Sequence, residues 1–175
     1  VLAGSCSTAT LGQIGRWKAG GRPALRIDPL DLAAPGDSPQ AHEHKLAAVA
    51  ERALAWIDDQ LPQGDVLIHA SAPADEVRAV QVQLGVHAAG AQVEQLFARI
   101  AQGVLARGVA RLVVAGGETS GAVVQALGVQ RLLVGASICP GVPWTQAEGR
   151  PLLLALKSGN FGGPDFFADA LALTA

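Results

Sequence analysis

RLVVAGGETSGAVVQALG, residues 111–128, sets an apolar strand against small polar residues and then a stretch that reads as a helix. Arg111 to Ala115 reads as a strand whose run Leu112-Val113-Val114 is apolar without alternation, which predicts burial on both faces. The two glycines, Gly116 and Gly117, let the backbone turn tightly and leave its N–H groups accessible. A strand ending in two glycines, a carboxylate and two hydroxyls adds little to a core. Its lack of bulk points to something that must approach the backbone.

The same strand-then-helix unit recurs on both sides. Val1 to Gly4 reads as a strand, and Ser7 to Ala19 as a helix ended by Gly20 and Gly21. Ala24 to Ile27 is a second strand, followed by a Pro/Asp/Gly-rich loop from Asp28 to Pro39. Leu46, Ala50, Leu54, Ile57 and Leu61 share one face of a long helix that Pro62-Gln63-Gly64 stops. Val66 to His69 is a third strand. Val93, Leu96, Phe97, Ile100 and Val104 mark another helix, ended at Gly108. Beyond the fourth strand, Arg131 to Ser137 reads as a fifth and Leu152 to Lys157 as a sixth. A last helix is expected from near Pro164, which suits a first helical turn, to about Leu173. Strands separated by helices imply crossovers and a parallel sheet. The expected class is α/β: a mostly parallel sheet with helices on both faces, a Rossmann-like three-layer sandwich.

The 175 residues fit one domain, and 50% apolar with 16% charged residues is a globular composition. A net charge of -2 with no Lys/Arg cluster argues against nucleic acid as a partner. The longest obvious apolar run, Leu152 to Leu156, is far short of the roughly 18 residues of a membrane helix, so no membrane partner is expected. Cys6 and Cys139 lie far apart with no ligand spacing, which favours a reducing, cytoplasmic compartment. The chain opens with Val1 inside a strand and holds no methionine. The expectation is that it is one domain, residues 1–175, of a longer protein. Such a domain can also assemble as a homo-oligomer.

Three strand ends share a character: Gly4-Ser5-Cys6-Ser7-Thr8, Gly116 to Gly121, and Lys157 to Gly163. Parallel strands would bring them to one edge of the sheet, where ligands bind in such folds. Glycines and helix N-termini there would form a phosphate cradle without arginine. The alternative is a set of tight turns, with Thr119 or Ser120 as an N-cap. The segment is not a P-loop, and Gly116, Gly117 and Gly121 do not make G-x-G-x-x-G. Glu118 could meet magnesium through water, or simply favour a helix N-terminus. Lys157 could meet a phosphate or be a solvated lysine. His42 and His44 should point apart. Cys6 reads as a small buried thiol. Residues 139–144 read as a rigid connection whose Trp144 packs a loop, with stacking on adenine as the other reading. His69 reads as a strand-end cap.

The motifs GSCSTAT, GGETSGAVVQALG, PGVPW and LKSGNFGGPDFF occur in this order over almost the whole chain. Together they resemble the C-terminal nucleotide-binding domain of the four-carbon acid sugar kinases, which phosphorylate 3-oxo-tetronate, threonate or erythronate. The resemblance implies an ATP-dependent kinase with ATP and Mg2+ as cofactors. Its sugar acid would be held mainly by an N-terminal domain not contained in these residues. It places nucleotide contacts on Ser5 or Ser7, on Gly116, Gly117, Glu118 and Thr119, and on Gly159. It assigns no catalytic residue. One departure is visible: a position before PGVPW that is often acidic reads Ser137-Ile138-Cys139-Pro140 here. A non-catalytic nucleotide-binding or regulatory module, and a dinucleotide-dependent oxidoreductase, are the competing readings.

Overall fold

The computed structural model describes residues 1–173. β1 (Leu2–Ala3) turns at Gly4 into α1 (Thr8–Ala19), which Ser7 caps by accepting from the Thr10 N–H at 3.2 Å. β2 (Ala24–Arg26) leads through a short 3-10 turn at Pro29–Asp31 to α2 (Pro39–Gln60). Ser38 caps α2, and Pro39 fills a first-turn position that needs no N–H. Then come β3 (Leu67–His69), α3 (Ala74–Leu84), α4 (Val86–Ala106), β4 (Arg111–Ala115) and α5 (Gly117–Ala126). The chain finishes with β5 (Leu132–Cys139), β6 (Val142–Ala147), β7 (Leu153–Lys157) and α6 (Phe166–Ala172).

The seven strands form one sheet in the order β2-β3-β1-β4-β7-β6-β5. β2, β3, β1, β4 and β7 run parallel, while β6 is antiparallel to both its neighbours. The mostly parallel sheet matches the sequence reading, but three elements depart from it. First, the expected rigid connection at residues 139–144 is a hairpin. Pro140 and Gly141 are its two-residue turn, and Gly141 has φ 80°, as a type II turn after proline requires. Second, β5 is apolar yet largely exposed, with Val134 at 77%, because it is the sheet's outer edge. Third, α3 was not foreseen, and none of its residues is fully buried. In addition, α6 begins two residues after Pro164, which lies in the turn before it.

Alternate residues of the strands feed two cores. On one face, Leu112 and Val114 of β4 meet Leu46 and Ile57 of α2, Phe97 and Ile100 of α4, and Val123 of α5. On the other, Val113 meets Ile14 and Trp17 of α1 and Phe166 and Phe167 of α6. Burying each large side chain contributes about 1.5–3 kcal/mol. Surface pairs such as Arg99–Glu43 and Arg107–Asp58 tie α2 to α4 but add little, because water and salt screen them. The chain leaves β1 toward β2 on one side and leaves β4 toward β5 on the other. The winding therefore reverses between β1 and β4, the topological switch point at which sheets of this kind bind ligands.

Candidate functional site

β1, β4 and β7 are neighbours, so their carboxyl ends carry the three small loops side by side. The backbone joins them. The Gly4 and Ser5 N–H groups both donate to the Ala115 carbonyl, at 3.0 and 3.1 Å, and the Gly116 N–H donates to the Lys157 carbonyl at 2.9 Å.

Thr119 packs between the first two loops. It is 5% exposed, and its Oγ1 occupies space next to two glycines. A Cβ on Gly4 would sit 2.2 Å from that oxygen, and one on Gly116 would sit 2.9 Å away. Gly116 also has φ 130°, a conformation that favours glycine. As N-cap of α5 it has no side chain to offer. The reading of Thr119 or Ser120 as N-cap is therefore corrected: both lie inside the first turn and are buried. The first helical bond runs from the Ser120 N–H to the Gly116 carbonyl at 2.9 Å. The N–H groups of Gly117, Glu118 and Thr119 precede it and have no helical acceptor. Gly117 and Glu118 are exposed.

The third loop is held from behind. The Gly159 carbonyl accepts from Ser7 Oγ at 2.6 Å, Thr10 Oγ1 at 2.9 Å and Lys157 Nζ at 2.9 Å. Lys157 is 1% exposed, and its Nζ also donates to Thr10 Oγ1 and the Ser158 carbonyl. Burial pushes its pKa down to about 8. It is not a solvated lysine, since all three donors serve internal acceptors. Gln13, 1% exposed, places Nε2 within 3.0–3.1 Å of the Phe161, Gly162 and Gly163 carbonyls. Thr10 and Gln13 escaped the sequence reading. Their signal was present: they share the buried stripe of α1 with Ile14 and Trp17, where polar groups must find partners.

An open cleft of about 950 Å³ lies between the first two loops and the α3–α4 pair. Ser5, Gly116, Gly117, Glu118 and Thr119 line it. Ser7 and Gly159 do not; Ser5 Oγ accepts from the Ser7 N–H at 3.2 Å, and a Cβ on Gly159 would sit 2.2 Å from that oxygen. Glu94 of α4 faces the same cleft, and its carboxyl is held above the usual range by burial and then by the charge of Glu118. Arg26 pairs with Glu76 at the far side. Among the described residues no three His, Cys, Asp or Glu side chains come together as a metal cage. A separate hollow of about 240 Å³ between α1 and α6 contains none of the expected site residues.

The other candidates are placed as follows. Cys6 is exposed at the cleft rather than buried, because it sits in the short turn between β1 and α1. His42 turns toward the Leu32 carbonyl while His44 is exposed, so the two rings do part. Trp144 packs rather than stacks on a ligand: it is 1% exposed and donates to the Ala170 carbonyl at 3.1 Å. His69 caps its strand end through the Ser71 carbonyl.

With this geometry in view, the comparisons with known proteins converge. The chain is 58% identical to a 3-oxo-tetronate kinase of Cupriavidus necator and 56% identical to one of Pseudomonas savastanoi pv. phaseolicola. Each match covers 98% of this chain and 37% of the relative, so the chain spans little more than a third of those proteins. The crystal structure of the Haemophilus influenzae protein HI1011 superposes with a TM-score of 0.85 at 34% identity, covering 98% of this chain and 39% of that one. The model of the nucleotide-binding C-terminal domain matches residues 1–167. The chain belongs to the family of nucleotide-binding C-terminal domains.

Proposed function

We propose that this chain is the ATP-binding part of a kinase that moves the γ-phosphate of ATP to a hydroxyl of a four-carbon acid sugar, of the 3-oxo-tetronate kind. The observation that carries the reading is the uncapped N-terminus of α5. It opens into the cleft at the switch point, between two neighbouring loops of equally small residues. The kinases it resembles supply the reaction class.

In this reading the N–H groups of Gly117, Glu118 and Thr119 and the Ser5 hydroxyl face the phosphates. Ser7 and Gly159 act by fixing Ser5. Such chemistry depends on positioning and charge neutralisation, with little covalent work for the protein. The carboxylates of Glu118 and Glu94 are hard oxygen donors on one cleft and suit Mg2+, which arrives with the nucleotide and keeps several waters. The chain covers 37% of the relative from Cupriavidus necator; in this reading the sugar acid is held mainly by residues outside these 175. Among the described residues no helix is long and apolar enough to cross a membrane. A cytoplasmic location fits an ATP-consuming kinase with two unpaired cysteines, Cys6 and Cys139.

Gly117→Val tests the site without disturbing the fold, because a Cβ there meets nothing within 4 Å. The side chain enters the space reserved for phosphate. ATP affinity should fall at least about tenfold, or 1.4 kcal/mol, with melting temperature unchanged. Unchanged affinity by calorimetry would remove the loop from the site.

A further inference from the structure

The cleft extends well past the phosphate loops. Its far wall is built from Val77, Val80 and Gln81 of α3 and Val86, Ala89 and Val93 of α4. Among the α-helices of the described residues, α3 alone has no fully buried residue. Its half-buried Val77, Val80 and Gln81 have the spacing of one helical face. This mostly apolar stripe lines the cleft on a helix that packs against α4 and the Pro29–Asp31 turn. Gly90 of α4 stands on the same wall. A glycine within a helix costs about 1 kcal/mol relative to alanine. Here a Cβ would meet nothing nearer than Glu94 Oε1 at 3.8 Å. The packing does not require the missing side chain; the cleft gains the space.

We propose that this wall receives the base and ribose of the nucleotide, so that α3 and α4 select which nucleotide binds while the loops hold its phosphates. The proposal rests on the reading that the loops hold phosphate. Continuity of the cleft fixes the occupant: phosphates at Gly116–Thr119 leave the nucleoside end in the remaining space. The volume of about 950 Å³ lies near the top of the roughly 300–1,000 Å³ found for small-molecule sites, more than a phosphate chain needs. The flat apolar faces of a base suit Val77, Val80 and Ala89. Gln81 and His87, which also line the cleft, offer hydrogen-bonding groups for its polar edge.

The test compares ATP with inorganic tripolyphosphate, both with magnesium, by calorimetry on the 175-residue chain. Two variants are used. Gly90→Leu fills the wall with a better helix former, and Val80→Asp places a charge on the partly exposed face of α3. The unsubstituted chain should bind ATP at least about tenfold more tightly than tripolyphosphate. Both variants should lose about tenfold or more in ATP affinity and keep their tripolyphosphate affinity. ATP binding unchanged in folded Val80→Asp overturns the proposal, as does equal affinity of the unsubstituted chain for the two probes; either result leaves the phosphate site standing. Parallel loss of both probes in the variants also overturns it, because the wall would then act on the phosphates. If the unsubstituted chain binds neither probe, the phosphate reading fails and the nucleoside wall falls with it.

Discussion

His69 shows how a single residue couples this fold to pH. Its ring is 3% exposed, Nδ1–H donates to the Ser71 carbonyl at 3.2 Å, and buried Nε2 has no partner. Burial first, and the positive charges of Lys18 and Arg26 after it, hold its pKa near 4, although the Ser71 hydrogen bond pulls the other way. An unfolded histidine titrates near 6.5. Between those values the unfolded chain takes up a proton that the folded chain refuses. Stability from this group is intact above about pH 6.5 and is lost as pH falls toward 4, by about 3 kcal/mol for a shift of this size. His69→Gln should flatten that dependence. Urea midpoints at pH 7 and pH 5 measure it, and an equal drop in both proteins would show that another group titrates. At this scale the sequence was legible where local chemistry decides. Small residues at strand ends marked the strand-to-helix turns after β1 and β4. It was not legible for Lys157, whose burial depends on carbonyls and a hydroxyl that only the folded chain brings to it.

Among the elements, the long helices and central strands were legible because their apolar residues repeat at helical spacing or run unbroken. The elements that escaped have mixed signals. β6 contains Pro143, which cannot donate to a ladder, and follows a proline-glycine pair that reads as loop. β5 carries the apolar composition of a central strand at an exposed edge, a difference only sheet order reveals. α3 has valines that are at most half-buried, so its stripe matched no core. That weakness has a dynamic consequence. A helix with few buried apolar contacts opens locally at low cost. Amides of α3 should exchange with solvent orders of magnitude faster than those of α4, whose Leu96, Phe97 and Ile100 are fully enclosed. ATP should slow α3 more than tripolyphosphate does. Equal protection of α3 and α4 without nucleotide would contradict the description of α3 as weakly anchored.

For the whole molecule, the fold class followed from strand–helix alternation, and the strand order sets the three scattered motifs side by side at the carboxyl ends of β1, β4 and β7. What lay beyond the sequence was their arrangement: Ser5 lines the cleft, while Ser7 and Gly159 lie outside its lining and are joined by a hydrogen bond. The relatives are far longer than this chain. Phosphoryl transfer needs an acceptor hydroxyl held in line, and a misplacement of about 1 Å costs roughly a hundredfold in rate. Supplied with ATP, magnesium and 3-oxo-tetronate, threonate or erythronate, the chain should bind nucleotide yet turn over at least about a hundredfold below the roughly 1–100 per second of typical kinases. Phosphorylated acid forming at normal rates would place the whole catalytic apparatus within these 175 residues.

The enclosure of Lys157 has a chemical consequence of its own. The chain has three lysines: Lys18 is exposed, Lys45 is half-exposed, and Lys157 is sealed beneath the loop it holds. An acylating reagent therefore marks the first two at once and reaches the third only when the segment from Ser158 to Gly163 lifts away. The pace at which that amine is marked is a clock for the opening of the loop, built into the chain without a dye or a probe.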